Sequence, residues 1–115
     1  MFDFEKLTVY KKSKEARKAT FSALSNKKFI DRSLFDQLKR SIIGIILNIA
    51  EGTGKSSKAD KRNFFTIARG STYETVAILD ILLDDEIIDE KDYGKLYSLY
   101  EEVSKMLLGL INSLK

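Results

Sequence analysis

The sequence predicts an all-α fold, an antiparallel up-down-up-down four-helix bundle formed by residues 1–115 as one domain. Three observations carry this. There is no proline and only six glycines in 115 residues, so nothing interrupts long helices and no linker-like segment divides the chain. Apolar residues recur at steps of three and four in four separate stretches, and the connections between those stretches are short.

The first stretch runs from about Leu7 to Leu24, with Leu7, Tyr10, Ala16, Phe21 and Leu24 as its apolar positions and many lysines between them. The second runs from about Leu34 to Glu51. Ser33 is its expected N-cap, with Asp36 three residues on, and Gly52 and Gly54 are expected to stop it. Leu34, Leu38, Ile42, Ile45 and Ile49 line one face. The third opens after Ser57, where Ser57-Lys58-Ala59-Asp60 has the spacing of a capping box with a carboxylate at its third position, and continues to Leu83. Asp84-Asp85-Glu86 places negative charge at its C-terminal end, against the helix dipole, and predicts fraying there. The fourth begins near Asp89 and runs to the chain end. Tyr93, Leu96, Tyr100, Val103, Leu107, Leu110 and Leu114 form its unbroken seam, broadened by Tyr97, Leu99, Leu108 and Ile111.

Composition restricts the chemistry. With 43% hydrophobic and 32% charged residues the chain has the balance of a soluble folded domain. Its first residues, Met1 to Glu5, lack the basic start and continuous apolar stretch expected of a signal peptide, and its longest apolar-rich run, Ile42 to Ala50, is too short to span a bilayer. Cysteine and histidine are both absent, which removes disulfides, thiolate nucleophiles, the commonest general base and the commonest metal ligands. A cytoplasmic setting, no cofactor, no metal site and no catalytic residues are therefore expected.

Charge is unevenly distributed. Residues 1–62 carry 15 Lys/Arg against 7 Asp/Glu (+8), whereas residues 63–115 carry 5 against 10 (−5). A basic half suits a phosphate-bearing partner; equally, its charges can cover solvated helix faces and attract the acidic half. Lys11, Lys12, Lys14, Arg17 and Lys18 of the first stretch, with Lys55, Lys58, Lys61 and Arg62 around the second connection, are the candidate nucleic-acid contacts. The segment from Glu51 to Lys58 resembles a phosphate loop only in composition. Gly52 and Gly54 are two apart, the preceding residues read as helix, and the Walker spacing is missing.

A second stripe runs beside the apolar face of the second stretch: Gln37, Ser41, Gly44, Asn48 and Glu51. Glycine costs about 1 kcal/mol relative to alanine in an exposed helix, so Gly44 predicts a close approach, with Ala68, Ser71, Thr72 and Thr75 of the third stretch as partners. Arg40, Asn48 and Glu51 are expected to join Arg69 and Glu74 in a buried polar network or in subunit contacts. The enzymatic alternative makes Glu51 and Glu74 an acid/base pair beside Arg69.

Gln37-Leu38-Lys39-Arg40-Ser41 through Asn48-Ile49-Ala50-Glu51-Gly52, together with Phe64-Phe65-Thr66-Ile67-Ala68-Arg69-Gly70-Ser71, resembles the signature of a bacterial four-helix-bundle family. That family includes proteins encoded in intervening sequences of 23S ribosomal RNA genes, often labelled S23 ribosomal proteins, and the accessory protein of diversity-generating retroelements is a relative. The resemblance covers nearly the whole chain and departs from the usual pattern at Ile43-Gly44. It implies a ring-like homopentamer without known catalytic activity, with nucleic-acid binding in some members. The function expected is that of an oligomeric, non-enzymatic, RNA-associated accessory protein; the alternative is a protein-binding scaffold with no nucleic-acid role.

Overall fold

A computed structural model describes residues 1–27 and 30–115. After a short 3-10 turn, Asp3–Lys6, come four helices: α1 (Thr8–Leu24), α2 (Arg32–Thr53), α3 (Lys58–Asp84) and α4 (Glu90–Ser113). They pack as a closed square in which α1 touches α2 and α4, and α3 touches α2 and α4, leaving α1 and α3 on one diagonal. The bundle measures 44 × 23 × 22 Å, and the short connections make consecutive helices antiparallel.

The helix starts follow cap chemistry. Ser57 Oγ accepts from the Asp60 N–H at 3.1 Å, and Asp89 Oδ1 accepts from the Asp92 N–H at 2.7 Å, at the two caps the sequence marks. At α2 the cap is Asp31, not Ser33: its Oδ1 accepts from the Leu34 N–H at 2.9 Å. Both residue types cap well, and hydrophobic packing decides between them. Ile30, just before Asp31, and Phe35, four residues after it, line the same small hollow, the arrangement of a hydrophobic staple.

The ends depart from expectation twice. Gly52 does not stop α2; it lies inside the helix, buried, because a Cβ there would come within 2.8 Å of Phe65 Cε1. Gly54 is the cap. The acidic end of α3 closes in a Schellman motif instead of fraying. Glu86 takes a φ of 60°, its N–H reaches Leu83 O at 3.0 Å, and the Ile87 N–H reaches Leu82 O at 2.9 Å. These bonds satisfy the carbonyls that would otherwise be orphaned.

The core holds most of the apolar positions expected for α2 and α4, including Leu38, Ile42, Ile45, Ile49, Leu96, Tyr100, Val103 and Leu107, whereas Leu34, Tyr93, Leu110 and Leu114 are only partly buried and Tyr97 and Leu108, expected to broaden the α4 seam, are exposed. In α1 the buried stripe is Val9, Ser13, Ala16, Thr20 and Leu24, whereas Leu7, Tyr10 and Phe21 are only partly buried. Ser13 and Thr20 can turn inward because each hydroxyl donates to a carbonyl of its own helix, Tyr10 O at 2.8 Å and Ala16 O at 2.7 Å. Tyr100 completes this contact, its phenol 2.6 Å from Thr20 Oγ1. Burial pushes the Tyr100 phenol up to about 12.

Candidate nucleic-acid interface

Helical geometry sorts the α1 cations. Lys11, Lys14 and Lys18 fall within a sector of about 60°, and Arg17 lies about 60° beyond it. All four are exposed. Lys12 turns the other way, toward α4, where it pairs with Glu102 at 3.3 Å and with Glu15 at 3.4 Å. The hydrogen bond to Glu102 is the main reason its ammonium titrates above the usual lysine value. Lys12 is therefore a bundle contact and stands apart from the other four.

The second cluster surrounds the N-terminus of α3. Lys58 is exposed, and the Lys55 ammonium lies 4.8 Å above the centre of the Phe64 ring. Lys61 Nζ donates to Thr53 O at 2.9 Å, and the Arg62 guanidinium donates to Leu114 O. Both acceptors sit at helix C-termini, where a cation also complements the dipole. Two of the four predicted phosphate contacts thus tie the ends of α2 and α4 to α3. Nothing in the sequence signals which carbonyl each cation meets.

Neutralisation is sparse across these nine residues. Of these nine, Lys12 alone forms an ion pair with a carboxylate among the described residues. Lys14 and Arg17 instead cover the Tyr10 and Phe21 rings at 5.3 and 5.1 Å. An aromatic face or a carbonyl holds a cation in place without cancelling its charge. The antiparallel order brings the start of α1 and the start of α3 to one end of the bundle, while Asp84, Asp85, Glu86 and Asp89 lie at the other. Lys11 and Lys14 share that end with the α3 cluster without sharing a face, because α1 and α3 are diagonal, whereas Arg17 and Lys18 lie about 15 Å along α1, Arg17 in a hollow with Asp36, Lys39 and Arg40 of α2.

The first three residues of the polar stripe of α2, Gln37, Ser41 and Gly44, meet α3. Gln37 Nε2 donates to Glu74 Oε2 at 3.2 Å, and Ser41 Oγ lies 2.8 Å from Thr75 Oγ1. A Cβ on Gly44 would come 3.3 Å from Ser71 Oγ, the close approach that its cost in a helix implies. Asn48 Nδ2 bonds to its own helix at Gly44 O, 2.8 Å away.

The proposed buried network does not form within the chain. Arg40, Glu51 and Glu74 are exposed, and among the described residues no ion pair links Arg40 or Arg69 to either glutamate. Arg69 turns to α4, where its Nε donates to Ser104 O at 3.2 Å, and its guanidinium covers the Tyr73 ring at 5.1 Å. The reason is longitudinal. Glu74 lies beside Gln37 near the start of α2, whereas Glu51 lies near its end, about 20 Å further along at 1.5 Å per residue. The two carboxylates cannot flank one reacting bond.

The architecture defines a class: an antiparallel four-helix bundle with cations gathered at the starts of its first and third helices and a tight, small-residue contact between its second and third helices. The chain belongs to the 23S rRNA-intervening sequence protein family, whose model matches residues 5–109. It is similar to a crystal structure of a protein of unknown function from the S23 ribosomal protein family of Bacteroides thetaiotaomicron VPI-5482. The TM-score is 0.81 at 29% sequence identity, over 90% of this chain and 98% of that one. No curated protein matches significantly. The sequence resemblance to this family therefore holds, as does the bundle it implies.

Proposed function

We propose that this protein is a non-enzymatic, oligomeric, RNA-associated accessory factor that holds nucleic-acid phosphates on the basic end of the bundle and along α1. The observation that carries the reading is that eight of the nine predicted basic side chains have no carboxylate partner among the described residues. Their field is left for a polyanion. Lys11, Lys14, Arg17, Lys18, Lys55 and Lys58 are the contacts, and Lys61 and Arg62 add charge while they clamp helix ends. A bound strand engaging both clusters crosses an end about 22 Å across and then follows α1 for about 15 Å to reach Arg17 and Lys18. Contacts of this kind give affinity with little sequence preference. The family's description as 23S rRNA-intervening sequence proteins suits an RNA setting.

Anisotropy titrations of nuclease-treated protein against single-stranded and duplex RNA and DNA, over a range of salt, test this. Binding should weaken steeply as salt rises. Combining K55E and K58E with K11E, K14E and K18E should lower affinity at least about tenfold and flatten the salt slope, with helicity and solution mass unchanged. Unchanged affinity would reject the assignment.

A second reading, a protein-binding scaffold, draws on the outward faces of α2 and α3. Leu47 is 58% exposed, Ile67 44% and Ile43 39%, and a Cβ on Gly70 would meet nothing within 4 Å. Apolar and small residues on an outer face suit contact with further copies of the chain, as in the pentamer that the family resemblance implies. A protein partner retained after nuclease treatment, with no nucleic acid bound to the purified chain, would favour the scaffold.

A further inference from the structure

The outer junction of α3 and α4 differs chemically from the rest of the surface. An open groove of about 500 Å³ lies there, lined by Tyr73 and Asp80 of α3 and by Tyr93, Tyr97 and Glu101 of α4. That volume falls within the usual range of small-molecule sites. Tyr93, Tyr97 and Glu101 are spaced four apart, and Tyr73 and Asp80 seven apart, so each set forms one stripe and the two stripes face each other.

Tyr73 is 61% exposed and Tyr97 41%, an unusual amount of aromatic surface to leave in water. The Tyr93 and Tyr97 rings stand 5.9 Å apart at 43°, which opens their faces and edges in different directions along one wall. Both charged residues of the lining are carboxylates. Among the described residues Asp80 has no ion-pair partner, and Glu101 has only the exposed Lys105 at 3.9 Å. Burial raises the Tyr93 phenol above its ordinary value, and the charges of Asp80, Tyr97 and Asp84 raise it further, as expected where the local potential is negative. The Arg69 guanidinium already holds one end of the groove, 5.1 Å from the Tyr73 ring centre and bonded to Tyr73 Oη at 3.3 Å and Ser104 O at 3.2 Å, which leaves Tyr93, Tyr97, Asp80 and Glu101 for a second cation.

We infer that this groove binds an organic cation, a guanidinium or ammonium group on an alkyl stem, with the Tyr93 and Tyr97 rings against its cationic head and Asp80 and Glu101 as counter-charges. The stem lies along Val76 and Ala77, which form the apolar part of the α3 wall. Quadrupole and carboxylate act together here: the ring faces favour the weakly hydrated cation, and the acids exclude anions. This site is separate from the basic end and does not depend on nucleic-acid binding.

Two probes carry this cation, agmatine as a free amine and N-acetyl-arginine methylamide as a protein-like side chain, with N-butylurea as the uncharged control. Tyrosine-ring proton shifts are followed by NMR on the full chain. Both cations should produce saturable shifts at Tyr93 and Tyr97 and leave Tyr10 unmoved, whereas butylurea should produce none. D80N and Y97A, both at exposed positions, should each weaken binding about fivefold with helicity retained. Tighter binding of agmatine would identify a free polyamine as the source of the cation; tighter binding of the capped arginine would identify a protein side chain. The site is refuted by an absence of saturation up to about 10 mM, by equal shifts with butylurea, or by affinities that neither substitution changes.

Discussion

The α1–α4 and α2–α3 contacts each bury a pair of hydroxyls, yet they are built on opposite principles. Between α1 and α4 a fully buried Tyr100 fills the space, and its phenol meets Thr20 at 2.6 Å. Between α2 and α3 the helices come close because side chains are missing: Gly44 faces Ser71, Gly52 faces Phe65, and Ser41 meets Thr75 at 2.8 Å. One contact depends on volume that is present and the other on volume that is absent. They should therefore respond in opposite ways to the loss and the gain of atoms.

Truncation of Tyr100 separates them most strongly. Tyr100→Ala leaves a cavity at a position with 0% exposure and should destabilise the fold by about 3–5 kcal/mol in urea unfolding. A smaller loss would mean that α1 collapses onto α4. The Tyr100 phenol also makes this contact alkali-sensitive. Its folded pKa is raised from 10.0 to about 12, so the stabilisation is complete below pH 10 and is lost as pH rises toward 12. The loss amounts to about 2–3 kcal/mol. Tyr100→Phe should abolish that part of the alkaline decline. Parallel pH profiles for the two proteins would place the decline elsewhere.

Gain of volume tests the other contact. In Gly52→Ala the new Cβ would lie 2.8 Å from a buried ring carbon of Phe65 and 3.2 Å from Phe64 Cβ. Neither neighbour can swing clear, and a net loss of about 1–3 kcal/mol is expected despite alanine's better helix propensity. Gly44→Ala should have the smallest effect. Its Cβ would lie 3.3 Å from Ser71 Oγ, a hydroxyl that can rotate away, and the propensity gain of up to about 1 kcal/mol offsets the crowding. Thermal melts that ranked Gly44→Ala as more damaging than Gly52→Ala would overturn this reading of the interface.

The sequence is legible where one physical rule acts alone. The α4 seam, its Asp89 cap and the Ser57 cap can be read from spacing because apolar periodicity and cap chemistry agree there. It is misleading at α1, where Ser13 and Thr20 read as polar but bury themselves by bonding to their own helix. Gly52 misleads in the same way, since a glycine near a helix end signals a stop whether or not a ring from another helix needs the room. The basic surface was only partly visible. Charge patterning located the cations, but only the packed bundle shows Lys12 spent on Glu102, and Lys61 and Arg62 on carbonyls of α2 and α4.

By itself the sequence determined four helices, their order, the N-caps of the third and fourth, most of the apolar seams and an excess of positive charge in the first half, because these depend on residues close together in the chain. The tertiary structure alone decided that α1 and α3 are diagonal, that Glu51 and Glu74 lie far apart, and that Tyr73, Tyr93 and Tyr97 share a groove with Asp80 and Glu101. Those relations join residues on different helices, and they are fixed by how antiparallel rods align and rotate against one another, which local spacing does not encode.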